Sequence, residues 1–72
     1  MQFRIVGVDQ HRAVVGPNTY ICVRRDKTIE SGVFPRWVAC RNNTVLKEDC
    51  RTLNEAKNIC RQALAEEAIV RP

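Results

Sequence analysis

One stretch constrains the fold more than any other: residues 52–66, Thr-Leu-Asn-Glu-Ala-Lys-Asn-Ile-Cys-Arg-Gln-Ala-Leu-Ala-Glu. At about 100° per residue, Leu53, Ala56, Ile59, Cys60, Ala63 and Leu64 fall within one arc of ~140°, the width of a helix lying on a core. Thr52 and Glu55 have capping-box spacing. The Thr hydroxyl would accept from the N–H of Glu55, and the Glu carboxylate would accept from the N–H of Thr52. The interior residues are mostly good helix formers. The pattern predicts a helix over 52–66, ending where Glu67 would re-enter the apolar arc. One flank carries Lys57 and Arg61, four residues apart. That flank is either a solvated surface or a basic face turned toward an acidic partner.

The remainder reads as β-structure. Residues 2–8, with Phe3, Ile5, Val6 and Val8, predict a first strand, and 12–15 a short second one. Gly16-Pro17-Asn18 interrupts the chain. Residues 19–25 form a strand with Tyr20, Cys22 and Arg24 on one face and Ile21, Val23 and Arg25 on the other. Residues 26–35 read as a long loop carrying Val33 and Phe34 just before Pro35. Phe34 either folds back on the core or belongs to a contact surface. Strands at 36–41 and 44–49 flank Asn42-Asn43, a hairpin signal because Asn tolerates positive φ. Ala68-Ile69-Val70 is too short to classify and could pack under the sheet or add an edge strand. The expected fold is α+β: an antiparallel sheet of three to five strands (2–8, 12–15, 19–25, 36–41, 44–49) against one C-terminal helix, a single domain over 1–72.

Composition narrows the function. The chain has 72 residues and a net charge of +4, and nine of its twelve basic residues are Arg. A domain this small has a thin core and little room for a deep cleft. The single histidine, His11, sits near a predicted turn with no nucleophile or acid spaced beside it. Gly7, Gly16 and Gly32 are isolated, so there is no glycine-rich phosphate loop. Adjacent Glu48 and Asp49 on a strand would point to opposite faces and chelate poorly. Cys22, Cys40, Cys50 and Cys60 lack the close pairing of zinc ligands, and buried thiols are expected, with Cys50 the most exposed. No catalytic residue, cofactor, metal or small-molecule substrate is expected. The first residues are not a signal peptide, and no run is long and apolar enough for a membrane span. A cytoplasmic location without membrane association is expected.

Function must then rest on arginine and aromatic side chains carried by strands: Arg24, Arg25, Phe34, Arg36, Trp37 and Arg41, with Lys57 and Arg61 on the helix. A two-layer domain leaves one sheet face open. If Tyr20, Trp37 and Ala39 face outward, Arg24 and Arg41 accompany them. If those three are covered, Arg25 and Arg36 are exposed instead.

Trp37, Arg41, the turn at Asn42-Asn43 and the Thr52–Ala56 helix start give an outline that resembles small three-stranded-sheet-plus-helix DNA-binding domains of the AP2 and phage-integrase arm-binding type. That resemblance implies a sheet face set against nucleic acid. The outline also resembles small phage- or prophage-encoded accessory proteins that dock on host enzymes. That implies an inhibitor or adaptor binding a host or phage protein with an acidic surface, anchored by Arg and Phe34 or Val33. Phe34-Pro35, Cys40 and Thr52-Leu53-x-Glu55-Ala56 are similar to a run in HicB-type antitoxins. The acidic protein surface is the preferred partner, because Asp and Glu interrupt any phosphate track. Nucleic acid is the alternative, and a second copy of the chain is a further candidate.

Overall fold

The computed structural model describes the backbone of residues 1–70 and the side chains of residues 1–67. Five strands form one antiparallel sheet: β1 (Arg4–Gly7), β2 (Gln10–Val15), β3 (Asn18–Arg24), β6 (Trp37–Arg41) and β7 (Thr44–Cys50), in the order β1-β2-β3-β6-β7. β4 (Lys27–Ile29) and β5 (Gly32–Phe34) pair separately, and the helix α1 (Leu53–Val70) packs on β3, β6 and β7. The fold is α+β, a five-stranded sheet with one C-terminal helix.

The turns follow from local chemistry. Asn42 and Asn43 have φ of 49° and 69°, the left-handed pair that a two-residue hairpin turn needs. Gly16 supplies φ of 59° before Pro17, closing the β2–β3 hairpin. The side chain of Asn42 also ties three elements together. Its Oδ1 accepts from the N–H of Thr19 at 2.9 Å and its Nδ2 donates to Asn18 Oδ1 at 2.7 Å. Asn18 Nδ2 in turn donates to Glu67 Oε2 at 3.1 Å.

That last contact explains the first departure from expectation. The helix does not stop at 66 but runs to Val70. Glu67 returns to the sheet side beyond the apolar core, where Asn18 and Arg41 receive its carboxylate (Arg41 Nη1 at 3.5 Å). Ala68–Val70 therefore continue the helix rather than adding an edge strand, and their side chains lie outside the described residues. At the other end Thr52 Oγ1 accepts from the N–H of Glu55 at 3.1 Å, as the capping box requires. The Glu55 carboxylate reaches one residue further back than expected, to the N–H of Arg51 at 2.7 Å, and also receives Lys47 Nζ at 3.1 Å. The Arg51 N–H, followed by Lys47, holds this carboxyl below its ordinary range.

Residues 26–35 are not a loop. Tyr20↔Arg41, Arg24↔Trp37, Lys27↔Phe34 and Ile29↔Gly32 share a single register, and the N–H of Arg25 donates to Arg36 O at 2.8 Å. β3–β4 and β5–β6 are thus one ribbon, interrupted only opposite Pro35, which has no N–H to donate. Its outer half projects as an arm and gives the molecule extents of 48 × 23 × 19 Å. The second strand is also longer than expected, starting at Gln10.

The core lies between the sheet and α1. Ala13, Tyr20, Cys22, Ala39, Cys50, Ala56 and Cys60 are buried, ringed by Phe3, Val15, Trp37, Leu46, Leu53, Ile59, Ala63 and Leu64. Small residues at its centre let the helix approach the sheet closely, and a thiol fills such a gap as a small hydrophobe. Two cysteine expectations are reversed. Cys50 is fully buried, because its register opposite Trp37 turns it under the helix. Cys40 has the opposite parity and is half-buried on the other face. His11 belongs to β2 rather than a turn, and its ring stands edge-on to Trp37 at 5.8 Å between centroids.

Candidate functional site: the open sheet face and its arm

Strand register sorts the site residues into two faces, because directly opposed residues project to the same side. Under or beside the helix lie Tyr20, Cys22, Ala39 and Trp37, together with Arg24 (opposite Trp37) and Arg41 (opposite Tyr20). Both arginines are already engaged. Arg24 Nε donates to Asp26 Oδ1 at 2.9 Å, and Arg41 pairs with Glu67. Lys57 and Arg61 are not near these strand arginines. They sit over the Phe3 ring at 5.5 and 6.0 Å from its centroid, on the helix flank.

The opposite face has no covering layer among the described residues. One row crosses the whole sheet there: Arg4, Arg12, Ile21, Cys40, Val45. A second row contains Gln10, Val23 and Val38. Beyond it, up the ribbon, come Arg25 beside Arg36 and then Lys27 beside Phe34. Val14 stands on this face as well, opposite Thr19. The centre is therefore aliphatic. At that centre Val38 is buried and Ile21, Val23 and Cys40 are half-buried, while Val14 and Val45 on the flanking strands are 67% and 50% exposed, and a groove of 140 Å³ is lined by Val23, Arg25, Val38, Cys40 and Val45. A broader depression of 710 Å³ holds Arg4 and Arg12 at the β1–β2 end.

The electrostatics of this face differ from those of the helix side. Arg4 and Arg12 oppose each other across β1 and β2, and Arg25 and Arg36 across the ribbon. Like charges set directly opposite are unfavourable, yet none of the four makes an ion pair among the described residues. Arg36 instead donates through Nη1 to Pro35 O at 2.8 Å and lies 5.8 Å from the centroid of the Phe34 ring. The two pairs stand roughly 14 Å apart along the strand direction, at about 3.4 Å per residue. The acids nearby are Asp49, 3.8 Å from Lys27, and Glu48, which acts on the Cys40 thiol. Burial raises the Cys40 pKa, while Arg25 works against that rise.

Of the residues singled out from sequence, Arg25, Phe34 and Arg36 come together on one surface. Arg24, Trp37 and Arg41 belong to the other face, and Lys57 and Arg61 to the helix. Two arginines of the open face, Arg4 and Arg12, escaped the sequence reading. Their signal was alternation: Arg4 between Phe3 and Ile5, Arg12 between His11 and Ala13. β1 and the turn after it carry further exposed apolar residues, with Ile5 76% and Val8 92% exposed.

No protein-family model, no curated protein and no solved structure matches this chain. Among the described residues no helix is long and apolar enough to cross a membrane, and no group of three or more His, Cys, Asp or Glu could hold a metal ion.

Proposed function

We infer that this chain is a non-catalytic protein-binding module. It docks the open face of its sheet, with the adjoining arm, onto an acidic protein surface that has apolar side chains between its carboxylates. One observation carries this reading. Two of the three interior strands, β3 and β6, are apolar on both faces (Tyr20-Ile21-Cys22-Val23 and Trp37-Val38-Ala39-Cys40), while the helix covers only one. Antiparallel sheets with one wet face alternate apolar with polar residues, and unbroken apolar runs belong to strands covered on both sides. The second layer is then supplied by a partner. Its acidic character follows from charge complementarity with two arginine pairs that have no carboxylate partner among the described residues. An aliphatic centre rimmed by Arg has the layout of a protein interface. It suits nucleic acid less well, because Tyr20, Trp37 and Phe3 lie on the helix side and Phe34 on the arm is the one aromatic side chain this surface offers among the described residues. An adaptor or inhibitor of the phage accessory type would use such a face.

Selection from a random displayed-peptide library tests the reading. The expected binders alternate Asp or Glu with apolar residues, and they are lost on an Arg25→Glu/Arg36→Glu double variant. Binders without acidic enrichment, or binding indifferent to that variant, would contradict it. So would tight binding of duplex DNA or single-stranded RNA at physiological salt.

A further inference from the structure

The helix and the sheet meet at two sulfurs. Cys22 on β3 and Cys60 on α1 are both fully buried, and their Sγ atoms are 3.9 Å apart. They are 38 residues apart in sequence and join the middle of the sheet to the middle of the helix. Cys50 shares the core, but its Sγ is directed at Lys47 O, 3.9 Å away, and Cys40 is on the opposite face.

We propose that Cys22 and Cys60 are a latent redox pair, which a peroxide converts to a disulfide fastening α1 to the sheet. The sulfurs, already in van der Waals contact, must close from 3.9 Å to about 2.05 Å. Whichever sulfur ionises first accepts a hydrogen bond from the other, so the two titrate as one unit. With a hydrogen bond shared between the two, the Cys60 thiol is held below its ordinary range and the Cys22 thiol above it. The accepting thiolate attacks one oxygen of hydrogen peroxide. The O–O bond breaks, hydroxide leaves, and the sulfur becomes a sulfenic acid. The second sulfur then attacks that sulfenic sulfur, the S–O bond breaks, and the departing hydroxide takes the remaining thiol proton. Two thiols and one peroxide thus give one disulfide and two waters. Burial makes the rate depend on local opening, so a small oxidant is required and a bulky alkylating reagent would react slowly.

Each cysteine falls in its own tryptic peptide, which makes the test direct: Cys22 in 13–24, Cys40 in 37–41, Cys50 in 48–51 and Cys60 in 58–61. The folded protein is treated with dilute hydrogen peroxide, quenched, alkylated under denaturing conditions and digested. The expected result is a mass loss of about 2 Da and a single cross-link between 13–24 and 58–61, reversed by reductant. The oxidised protein should melt about 15–30 °C higher, as expected for closing a loop of this length in a small domain. Free Cys22 and Cys60 at peroxide levels that already oxidise Cys40 would overturn the proposal, as would a cross-link through Cys40 or Cys50. The wild-type peptide map decides the matter without a cysteine variant, and a Cys50→Ala variant should leave the cross-link unchanged.

Discussion

The two faces of this sheet are built from the same strands, yet they treat charge in opposite ways. On the face under α1 the rim is neutralised within the chain: Arg24 by Asp26, Arg41 by Glu67, Lys47 by Glu55. On the other face Arg4 opposes Arg12 and Arg25 adjoins Arg36, with no ion pair to any of them among the described residues. The covered face is thus completed by this chain. The open face has an apolar centre and four arginines without ion pairs among the described residues, and only its Lys27 is matched, by Asp49. The contrast separates arginines paired within the chain from arginines that, on the proposed function, meet a partner.

The comparison can be broken most severely on the covered side. Tyr20 is the largest of the fully buried side chains. Tyr20→Ala should cost about 3–5 kcal/mol by the lost burial and the cavity left behind, enough to leave much of so small a domain unfolded. Urea denaturation measures this, and a cost below about 1 kcal/mol would mean that the core is not where the covered face puts it. Next in size is the open-face double variant Arg25→Glu/Arg36→Glu. It should lose at least about 30-fold in affinity for a selected acidic peptide, about 2 kcal/mol, while unfolding stability changes by no more than about 0.5 kcal/mol. Titration calorimetry beside urea denaturation reads both. A variant that loses stability instead of affinity would put these arginines in the structural class.

Smaller effects sharpen the join between the layers. Thr52→Ala removes the cap on α1 and should cost about 1 kcal/mol. Glu55 provides a pH-dependent counterpart. Its carboxyl is held below the ordinary range in the folded state. Its contribution is therefore complete above the unfolded carboxylate pKa and fades as pH falls through the depressed folded value. The stability gap between wild type and Glu55→Gln should be open near neutral pH and close on acidification. The smallest change expected is at the Tyr20 hydroxyl, which is buried with no hydrogen-bond partner among the described residues. Tyr20→Phe should alter stability by less than about 1 kcal/mol, toward stabilisation, because an unmet polar group is removed. A larger loss would show that the hydroxyl is bonded.

Much of this fold is legible in the sequence because local signals agree. The apolar arc from Leu53 to Leu64, the Thr52 cap and the Asn42-Asn43 turn each specify one conformation. The arm was not legible. Pro35 and Gly32 give residues 26–35 the composition of a loop, while the register that makes them a hairpin is set by Tyr20–Arg24 against Trp37–Arg41, far along the ribbon. The helix end was misplaced because Glu67 looks wrong for an apolar arc until Asn18 and Arg41 arrive from the sheet. For the site, strand parity put Arg25 and Arg36 on the face opposite Tyr20 and Ala39, though Arg24 at the rim of the covered face is exposed as well. Which parity is covered depends on where the helix packs, and that is not a local property. Arg4 and Arg12 required the β1–β2 pairing to be seen as one face.

The most direct test of the central claim is an amide and methyl NMR titration of the protein with an acidic–apolar peptide from the library. The account predicts that shifts cluster on Arg12, Val14, Ile21, Val23, Arg25, Arg36, Val38, Cys40 and Val45, leaving Asn54, Asn58 and Gln62 of the helix unmoved. Shifts centred on the helix flank at Lys57 and Arg61, with the open face silent, would contradict it.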